Sequence, residues 1–190
     1  MRNPKPSGLP ARIQRLGNSE MSSQEPIEET IWLTPEGYKA LEDELHHLTT
    51  VRRQEIAQRI RESKEHGEFA EDNTELEDAK KEQAYVESRI LEIKAILGSA
   101  EILTPEDVPA RKVGLGSKVT LRNRRNKAEF TILVVSSAEA DPEQDKISSS
   151  SPLGAALIGA QKGDVVKVQA PGGTTSYEVL KVSKGVRKKK

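Results

Sequence analysis

The sequence contains no cysteine, and aromatic residues make up only 3% of its 190 residues. Without thiols the chain has no disulfides, no cysteine-ligated zinc, no iron–sulfur clusters and no thiol catalysis. We therefore expect a protein of a reducing compartment, the cytoplasm. With 34% hydrophobic residues and so few rings, one large globular core is not expected. An elongated helical part beside a small compact part fits this composition better.

The sequence also lacks an excess of either charge and lacks any long apolar run. Its 30 Lys and Arg residues balance 30 Asp and Glu residues, which argues against a general basic surface that coats nucleic acid. No apolar stretch approaches the roughly 18 to 20 residues that cross a bilayer, and the N-terminus has no apolar centre of a secretion signal. We expect a soluble protein with no membrane partner.

Residues 1–28 are rich in proline, glycine and serine and have no sustained apolar period. This composition is typical of a disordered extension. Its first twenty residues are basic, as in a transit peptide or an arm that contacts nucleic acid. We favour the simpler interpretation, a dispensable extension.

Two amphipathic stretches predict an antiparallel coiled-coil hairpin over residues 31–103. Thr34-Pro35-Glu36 is a pattern typical of a helix start, and Gly98 of a helix stop. Between them, apolar positions advance in steps of three and four, broken at His66-Gly67. The predicted stripes are Tyr38, Leu41, Leu45, Leu48, Ile56 and Ile60 in the first arm, and Leu76, Ala79, Gln83, Val86, Ile90, Ile93 and Leu97 in the second. Two arms of about 30 residues give a hairpin roughly 45 Å long.

The C-terminal part has a different period. Repeated Pro and Gly over residues 104–116 indicate a linker. Residues 117–184 then show the alternation of short strands, with one short helix that begins at Ser151-Pro152. Residues 185–190 form a basic tail. The expected class is α+β, a helical hairpin followed by a small antiparallel sheet domain with one helix.

The hairpin tip is strongly acidic, because five carboxylates fall within the eleven residues 65–75. A solvated turn would explain such charges, but like charges repel at short range unless a cation arrives. Oxygen ligands on a short loop suit Mg²⁺, although one loop supplies too few to hold it firmly. An ion shared with a partner is therefore the implied use.

Short motifs also recur along residues 31–183 in an informative order. In the helical part they are Leu33-Thr34-Pro35-Glu36-Gly37, Val51-Arg52-Arg53 and Ser88-Arg89-Ile90. In the sheet part they are Ile147-Ser148-Ser149-Ser150-Ser151-Pro152-Leu153, Leu157-Ile158-Gly159, Gly163-Asp164-Val165-Val166 and Pro171-Gly172-Gly173. Together with the acidic tip, these motifs closely resemble the bacterial Gre family of transcript cleavage factors, GreA and GreB.

The resemblance implies a coiled coil that enters the secondary channel of RNA polymerase and an FKBP-like C-terminal domain that docks at the channel rim. It implies a transcription elongation factor that stimulates the polymerase's own cleavage of backtracked nascent RNA, rather than an independent enzyme. The implied partners are RNA polymerase and the RNA 3′ end, and we expect the protein to act as a monomer.

The resemblance also implies roles at the tip. The family tip carries two functional acids, and Glu68 occupies the position of the first. A one-residue insertion places the second on Glu71 when counted from Gly67, and on Asp72 when counted from Asn73. By resemblance, these three carboxylates are the catalytic candidates and the ligands of a Mg²⁺ shared with the polymerase, not held by this chain alone.

Lys64 and Lys80 fall at positions where the family has basic residues that contact the RNA. Lysine is a point charge and lacks the bidentate fork of arginine, so we expect a looser contact.

Three other functions compete with this interpretation. The altered tip is compatible with an anti-Gre protein that occupies the channel and modulates or inhibits synthesis without cleavage. A prolyl isomerase would need an aromatic-lined pocket, and residues 113–186 contain only Phe130 and Tyr177. A generic coiled-coil adaptor explains the hairpin but neither the acidic tip nor the sheet motifs.

Deletion of residues 1–28 should leave polymerase binding intact, because nothing in them can form part of a packed core. The truncated and full chains would be titrated against polymerase side by side. A loss of affinity beyond about tenfold, or about 1.4 kcal/mol, would contradict the expectation.

Overall fold

The computed structural model describes residues 30–66, 74–170 and 173–186. It divides into a helical unit, Glu36–Ala100, and a second unit that combines Met1–Pro35 with Glu101–Lys190, as far as these are described. The predicted α+β class is confirmed. No helix among the described residues combines the length and apolar character needed to cross a membrane.

The described residues of the helical unit form three α-helices. Helix α1 spans Pro35–His47 and α2 spans Arg53–His66, joined by a five-residue π-helical turn at Leu48–Arg52. Helix α3 spans Thr74–Ser99 and forms the second arm. Helix α1 starts at Pro35, as predicted. Gly98 was predicted to end the second arm, but Gly98 is still helical and α3 ends one residue later, at Ser99.

A narrow apolar seam joins the two arms. Ile56 from α2 packs with Val86 and Ile90 from α3, and all three are almost fully buried. Each such side chain contributes about 1.5 to 3 kcal/mol when removed from water. The predicted stripes are confirmed at these positions, but Gln83 is exposed. The neighbouring Glu82 is half-buried instead, because it binds arginines of the other arm.

The π-helical turn was not predicted. It adds one residue per turn and releases backbone carbonyls from the regular α-helical pattern. Thr49 Oγ1 donates to the Leu45 carbonyl at 2.7 Å, and Thr50 Oγ1 donates to the His46 carbonyl at 2.7 Å. Two adjacent threonines therefore satisfy the acceptors that this turn leaves open. The turn also restores the seam, since the apolar stripe resumes at Ile56.

A five-stranded sheet forms the centre of the second unit. Its strands are β3 (Ser117–Asn123), β4 (Glu129–Val135), β5 (Lys146–Ser148), β6 (Val165–Ala170) and β7 (Gly173–Lys184). They lie in the order β5-β4-β3-β7-β6. The sheet is mixed rather than purely antiparallel as predicted, because β5 runs parallel to β4. The strand β5 has only three residues, too few for a period-two pattern to be recognised.

One face of this sheet is covered by α4, which spans Pro152–Leu157. The predicted helix start is confirmed, since Ser151 Oγ accepts a hydrogen bond from the Gly154 N–H at 3.0 Å. Leu157 packs into the core beneath it. The core consists of Val113, Val119, Leu121, Ile132, Val134, Leu157, Val166 and Val179.

The segment 104–116 belongs to the second unit and packs there, so it is not the linker between domains that its Pro and Gly content predicted. Val113 lies in the sheet core and exchanges backbone hydrogen bonds with Gly159 and Ala160. Val108 belongs to a second cluster with Trp32, Leu103 and Val186. Gly116, at φ +75°, lies against Val108, where a Cβ would approach to 2.8 Å. Turn residues therefore serve close packing here.

The predicted tail 185–190 also begins inside the fold. The Gly185 N–H donates to the Gly116 carbonyl at 2.7 Å, and Val186 is 3% exposed. Residues 187–190 lie outside the described part of the chain. The hairpin does not begin at residue 31 as predicted, because β1 (Ile31–Leu33) pairs with β2 (Ala100–Ile102) and Trp32 packs into the second unit.

A buried carboxylate fixes the start of the described chain. Glu139, which is 8% exposed, accepts hydrogen bonds from the Thr34 N–H at 2.7 Å and from the Thr34 hydroxyl at 2.5 Å. These residues are 105 positions apart. A charged acceptor shared by two donors is among the stronger hydrogen-bond arrangements. Thr34 is thereby held immediately before helix α1.

Gly154→Ala should destabilise the second unit by about 1 to 3 kcal/mol. A Cβ at this position would lie 2.0 Å from the Ser148 carbonyl oxygen, and that backbone cannot move aside cheaply. Fluorescence of Trp32, the single tryptophan, reports unfolding of this unit. The urea midpoint by fluorescence should fall.

Gly98→Ala is the matched control. Nothing lies within 4 Å of the added Cβ, and the residue is helical and one position from the end of α3, so the change should not destabilise the helix. Circular dichroism at the helix band would measure it. Equal unfolding free energies for the two alanine variants would show that the second unit accommodates a methyl group at Gly154.

Candidate functional site

The predicted acidic tip lies at the junction of the two arms. Its three candidate acids, Glu68, Glu71 and Asp72, lie outside the described residues, which stop at His66 and resume at Thr74. In the part of the chain that the structure covers, no three His, Asp or Glu side chains are grouped closely enough to hold a metal ion. The described part of the site is the pair of arms that leads to the tip.

Ion pairs between the arms fix their direction. Glu44 pairs with Arg89, Arg53 with Glu87, and Arg59 with Glu82. As the number rises along the first arm, it falls along the second. The arms are therefore antiparallel, as predicted.

This direction determines which residues share a side of the hairpin. In an α-helix, each residue lies about 100° further round the axis than the residue before it. When two antiparallel helices pack along one seam, the residues directly after the seam residues therefore project to the same side of the pair. Ser63 and Ala79 are both buried. Lys64 and Lys80 follow them directly and are exposed. The two predicted RNA-contacting lysines thus lie on one side of the hairpin.

Arg53 and Glu87 lie on this same side, since Glu87 follows the buried Val86. They form a bidentate pair, with Arg53 Nε 2.7 Å from Glu87 Oε1 and Nη2 2.5 Å from Oε2. Arg53 and Glu87 neutralise each other, whereas Lys64 and Lys80 carry unpaired charge near the tip end. Arg61 follows the seam residue Ile60, is exposed and has no ion pair among the described residues, so it adds a third cation to this side. Neither lysine has an ion-pair partner within the described residues. We call the side that bears Arg53, Lys64 and Lys80 the lysine side.

The Arg53 guanidinium lowers the pKa of the Glu87 carboxyl through their hydrogen bonds. A carboxyl whose pKa is lower in the folded state stabilises the fold fully above its unfolded pKa. That contribution is lost as the pH falls through the lowered value. Both side chains are solvent-exposed, so screening keeps the contribution small at physiological salt.

The opposite side of the hairpin carries its charges in a paired form. Glu82 lies between Arg52 and Arg59 and binds both. Glu44 binds Arg89 in a bidentate contact, at 2.8 Å to Nε and 2.9 Å to Nη2, and Arg89 also reaches Glu92 at 3.0 Å. The Glu44 contact raises the pKa of Arg89 above its already high ordinary value. This side therefore offers little free positive charge to a ligand.

Sequence comparison decides the family. A family model described as "Transcription elongation factor, N-terminal" matches residues 31–102, and one described as "Transcription elongation factor, GreA/GreB, C-term" matches residues 108–184. The transcription elongation factor GreA of Syntrophomonas wolfei is 41% identical over 157 residues, which cover 83% of this chain and 98% of that protein. The chain belongs to the GreA/GreB family of transcription elongation factors.

Other GreA/GreB relatives agree with this assignment. GreA of Alkaliphilus oremlandii is 45% identical over 152 residues, covering 80% of this chain and 95% of that protein. The solved structure of GreA factor homolog 1 from Thermus thermophilus is 33% identical and covers 81% of this chain and 99% of that chain, with a TM-score of 0.39. The two family-model matches and the GreA relatives confirm the predicted family and its assignment as a Gre-type transcription elongation factor.

The ion-pair network was not predicted from the sequence. Its signal was nevertheless present, because Arg52, Arg53 and Arg89 stand in two of the motifs by which the sequence resembles the GreA/GreB family. Arg89 directly precedes the seam residue Ile90, and Arg52 and Arg53 lie about one helical turn before the seam residue Ile56, where a long side chain can reach across to the other arm. These motif residues hold the arms together and orient the lysine side.

Glu82→Gln should destabilise the helical unit by about 1 kcal/mol, because it removes two ion pairs and leaves Arg52 and Arg59 facing each other. Thermal unfolding by circular dichroism would measure the change. Glu42→Gln is the control, since Glu42 is exposed on α1 and has no ion pair among the described residues. If both variants melt like the parent, the cross-arm pairs contribute nothing.

Proposed function

We propose that this elongation factor inserts its hairpin into the secondary channel of RNA polymerase and stimulates cleavage of backtracked nascent RNA. The observation that carries the proposal is the coincidence of an acidic tip with two unpaired lysines on one side of the arms leading to it. A carboxylate tip serves phosphodiester hydrolysis, and cations alongside it attract the RNA backbone.

The dimensions of the arms suit delivery of the tip into a narrow channel. Helix α3 alone has 26 residues and extends over about 39 Å at 1.5 Å per residue. Two helices packed on one seam are thin enough to enter where a globular domain is excluded. The cross-arm ion pairs would keep the arms together during entry.

At the polymerase active site, the chain's contribution would come from its tip carboxylates. Glu68 and one of Glu71 and Asp72 carry the hard oxygen donors that Mg²⁺ prefers. They would help retain a Mg²⁺ whose other ligands belong to the polymerase, where two metal ions promote attack of water on the phosphodiester. The protein would not act as an enzyme by itself.

Lys64 and Lys80 would contact the extruded RNA 3′ segment. Both are exposed on the lysine side, and neither forms an ion pair with a carboxylate of the described residues. Each can reach a phosphate as a point charge, without bidentate geometry. RNA held along this side would be guided toward the tip.

A second candidate function is occupation of the channel without cleavage. The observation that favours it is the one-residue insertion in the tip, which changes the spacing between Glu68 and the second acid. A displaced carboxylate loses catalytic value even when the hairpin binds normally. Such a protein would modulate or inhibit nucleotide addition.

Glu68→Ala, and one of Glu71→Ala and Asp72→Ala, should abolish cleavage in a stalled, backtracked elongation complex from the same organism. Polymerase affinity should stay within about twofold, because the changed residues contribute little to docking. Raised Mg²⁺ should partly restore cleavage, by mass action on the weakened site. Whichever of the Glu71→Ala and Asp72→Ala variants fails to stimulate cleavage identifies the second functional acid.

Glu42→Ala is the matched control, because it removes an exposed carboxylate from α1, away from the tip. Normal cleavage by all three tip variants would refute the catalytic role of the tip. A parent protein that blocks nucleotide addition and never stimulates cleavage would establish the second candidate function instead.

A further inference from the structure

A second group of unpaired cations lies in the sheet unit, far along the chain from the hairpin. The turn between β3 and β4 carries Arg124, Arg125 and Lys127, all exposed. Arg124 and Arg125 line an open cleft together with three hydroxyl side chains from the start of β7. We call this group, Arg124, Arg125, Thr174, Thr175 and Ser176, the turn patch.

The backbone of the turn patch is firmly held. Lys127 N–H donates to the Asn123 carbonyl at 2.9 Å, and Asn123 Oδ1 accepts from the Arg125 N–H at 2.9 Å. Lys127 adopts the left-handed conformation, at φ 61°, that closes the turn. The Arg124 N–H donates to the Ser176 carbonyl at 3.0 Å, which ties the turn to β7. The two guanidinium groups are therefore presented from a fixed base.

Carboxylates do not neutralise the turn patch. The nearest along β4 and β7 are Glu129 and Glu178, and both are engaged by Arg122, at 2.7 Å and 3.8 Å. Arg124, Arg125 and Lys127 have no ion pair with any described residue. Lys167 stands opposite Ser176 in the β6–β7 register and adds a further exposed cation. Unpaired like charges held close together destabilise a fold unless an anion binds them.

The side chains of the turn patch are all hydrogen-bond donors suited to phosphate. Arginine binds phosphate through two parallel N–H groups, and threonine and serine hydroxyls add single contacts. Among the described residues that line the cleft there is no large apolar side chain, whereas protein interfaces rely on buried aromatic or aliphatic anchors. The nearest rings, Phe130 and Tyr177, stack edge-to-face and pack against the core, so they do not offer a platform for bases.

We propose that the turn patch binds the phosphodiester backbone of a nucleic acid, without reading its sequence. Two arginines and neighbouring hydroxyls fit one or two adjacent phosphates, and the described lining residues include no ring on which a base could stack. The overall charge of zero is compatible with this site, because the positive charge is local. The binding is weak, depends on salt, and is independent of the hairpin tip.

The test measures binding of the full chain, without polymerase, to a short fluorescein-labelled DNA duplex and to a single-stranded RNA of matching length. Fluorescence anisotropy between about 50 and 200 mM salt gives the affinity and its salt slope. Arg124→Gln/Arg125→Gln should weaken binding by about tenfold or more and reduce the slope by about two, one for each lost phosphate contact. The probe that the parent binds more tightly distinguishes duplex DNA from single-stranded RNA.

Two controls make the result specific. Arg111→Gln/Lys162→Gln removes the same charge from two exposed positions beside the Lys112–Gln161 bridge of the same unit. It should bind within about twofold of the parent. Arg124→Lys/Arg125→Lys keeps the charge and should retain the salt slope. Unchanged Trp32 unfolding midpoints would confirm that all variants are folded.

The proposal is wrong if the parent binds neither probe, if the Arg111/Lys162 variant loses as much affinity as the patch variant, or if the patch variant binds normally. Polyglutamate at equal charge concentration is the remaining comparison. If polyglutamate displaces the probe as effectively as unlabelled duplex does, the turn patch binds an acidic protein surface, and the nucleic-acid assignment is wrong. None of these outcomes depends on cleavage of backtracked RNA.

Discussion

Each arm of the hairpin buries a stripe about one residue wide, and this seam positions every side chain outside it. Once Ile56 lies against Val86 and Ile90, the helical rotation of about 100° per residue determines where the remaining side chains project. The same rotation brings Lys64 and Lys80 to one side and Glu82 between two arginines on the other. A seam this narrow buries little area, so the ion pairs that flank it contribute to holding the arms in register.

The positions of the charged side chains matter more here than their number. The opposite side of the hairpin pairs its arginines with carboxylates, and Arg122 does the same on the sheet. Exposed cations without an ion pair among the described residues also occur singly, as Arg111 and Lys162 do, but they are grouped on the lysine side and in the turn patch. Because opposite charges elsewhere neutralise each other, these local groups stand out in a chain whose net charge is zero. Composition alone could exclude a uniformly basic surface but could not locate either group.

The sequence was sufficient to predict features that depend on local order. Steps of three and four identified both arms, and Ser151-Pro152 identified the start of α4. It was insufficient where residues distant in sequence decide the outcome. The strands β1, β2 and β5 have three residues each and exist only because of their partners. Val113 was assigned to a linker because Pro and Gly surround it in the sequence. Gln83 was assigned to the apolar stripe by its spacing, but it is exposed, and the neighbouring Glu82 contacts the other arm through ion pairs. The tip acids rest on resemblance, since they lie outside the described residues.

The hydrogen bonds between Thr34 and Glu139 imply that the two units fold in a fixed order while the chain is synthesised on the ribosome. The hairpin uses contacts within residues 36–100, so its closure requires only that stretch to have emerged. The second unit joins Thr34 to Glu139 across 105 residues and Trp32 to Val186 across a still longer span. Contacts of high sequence separation form late, because the intervening loop must close first. The emerging chain therefore carries a folded coiled coil for some time before Trp32 is covered, and that interval is where chaperone contact would matter most.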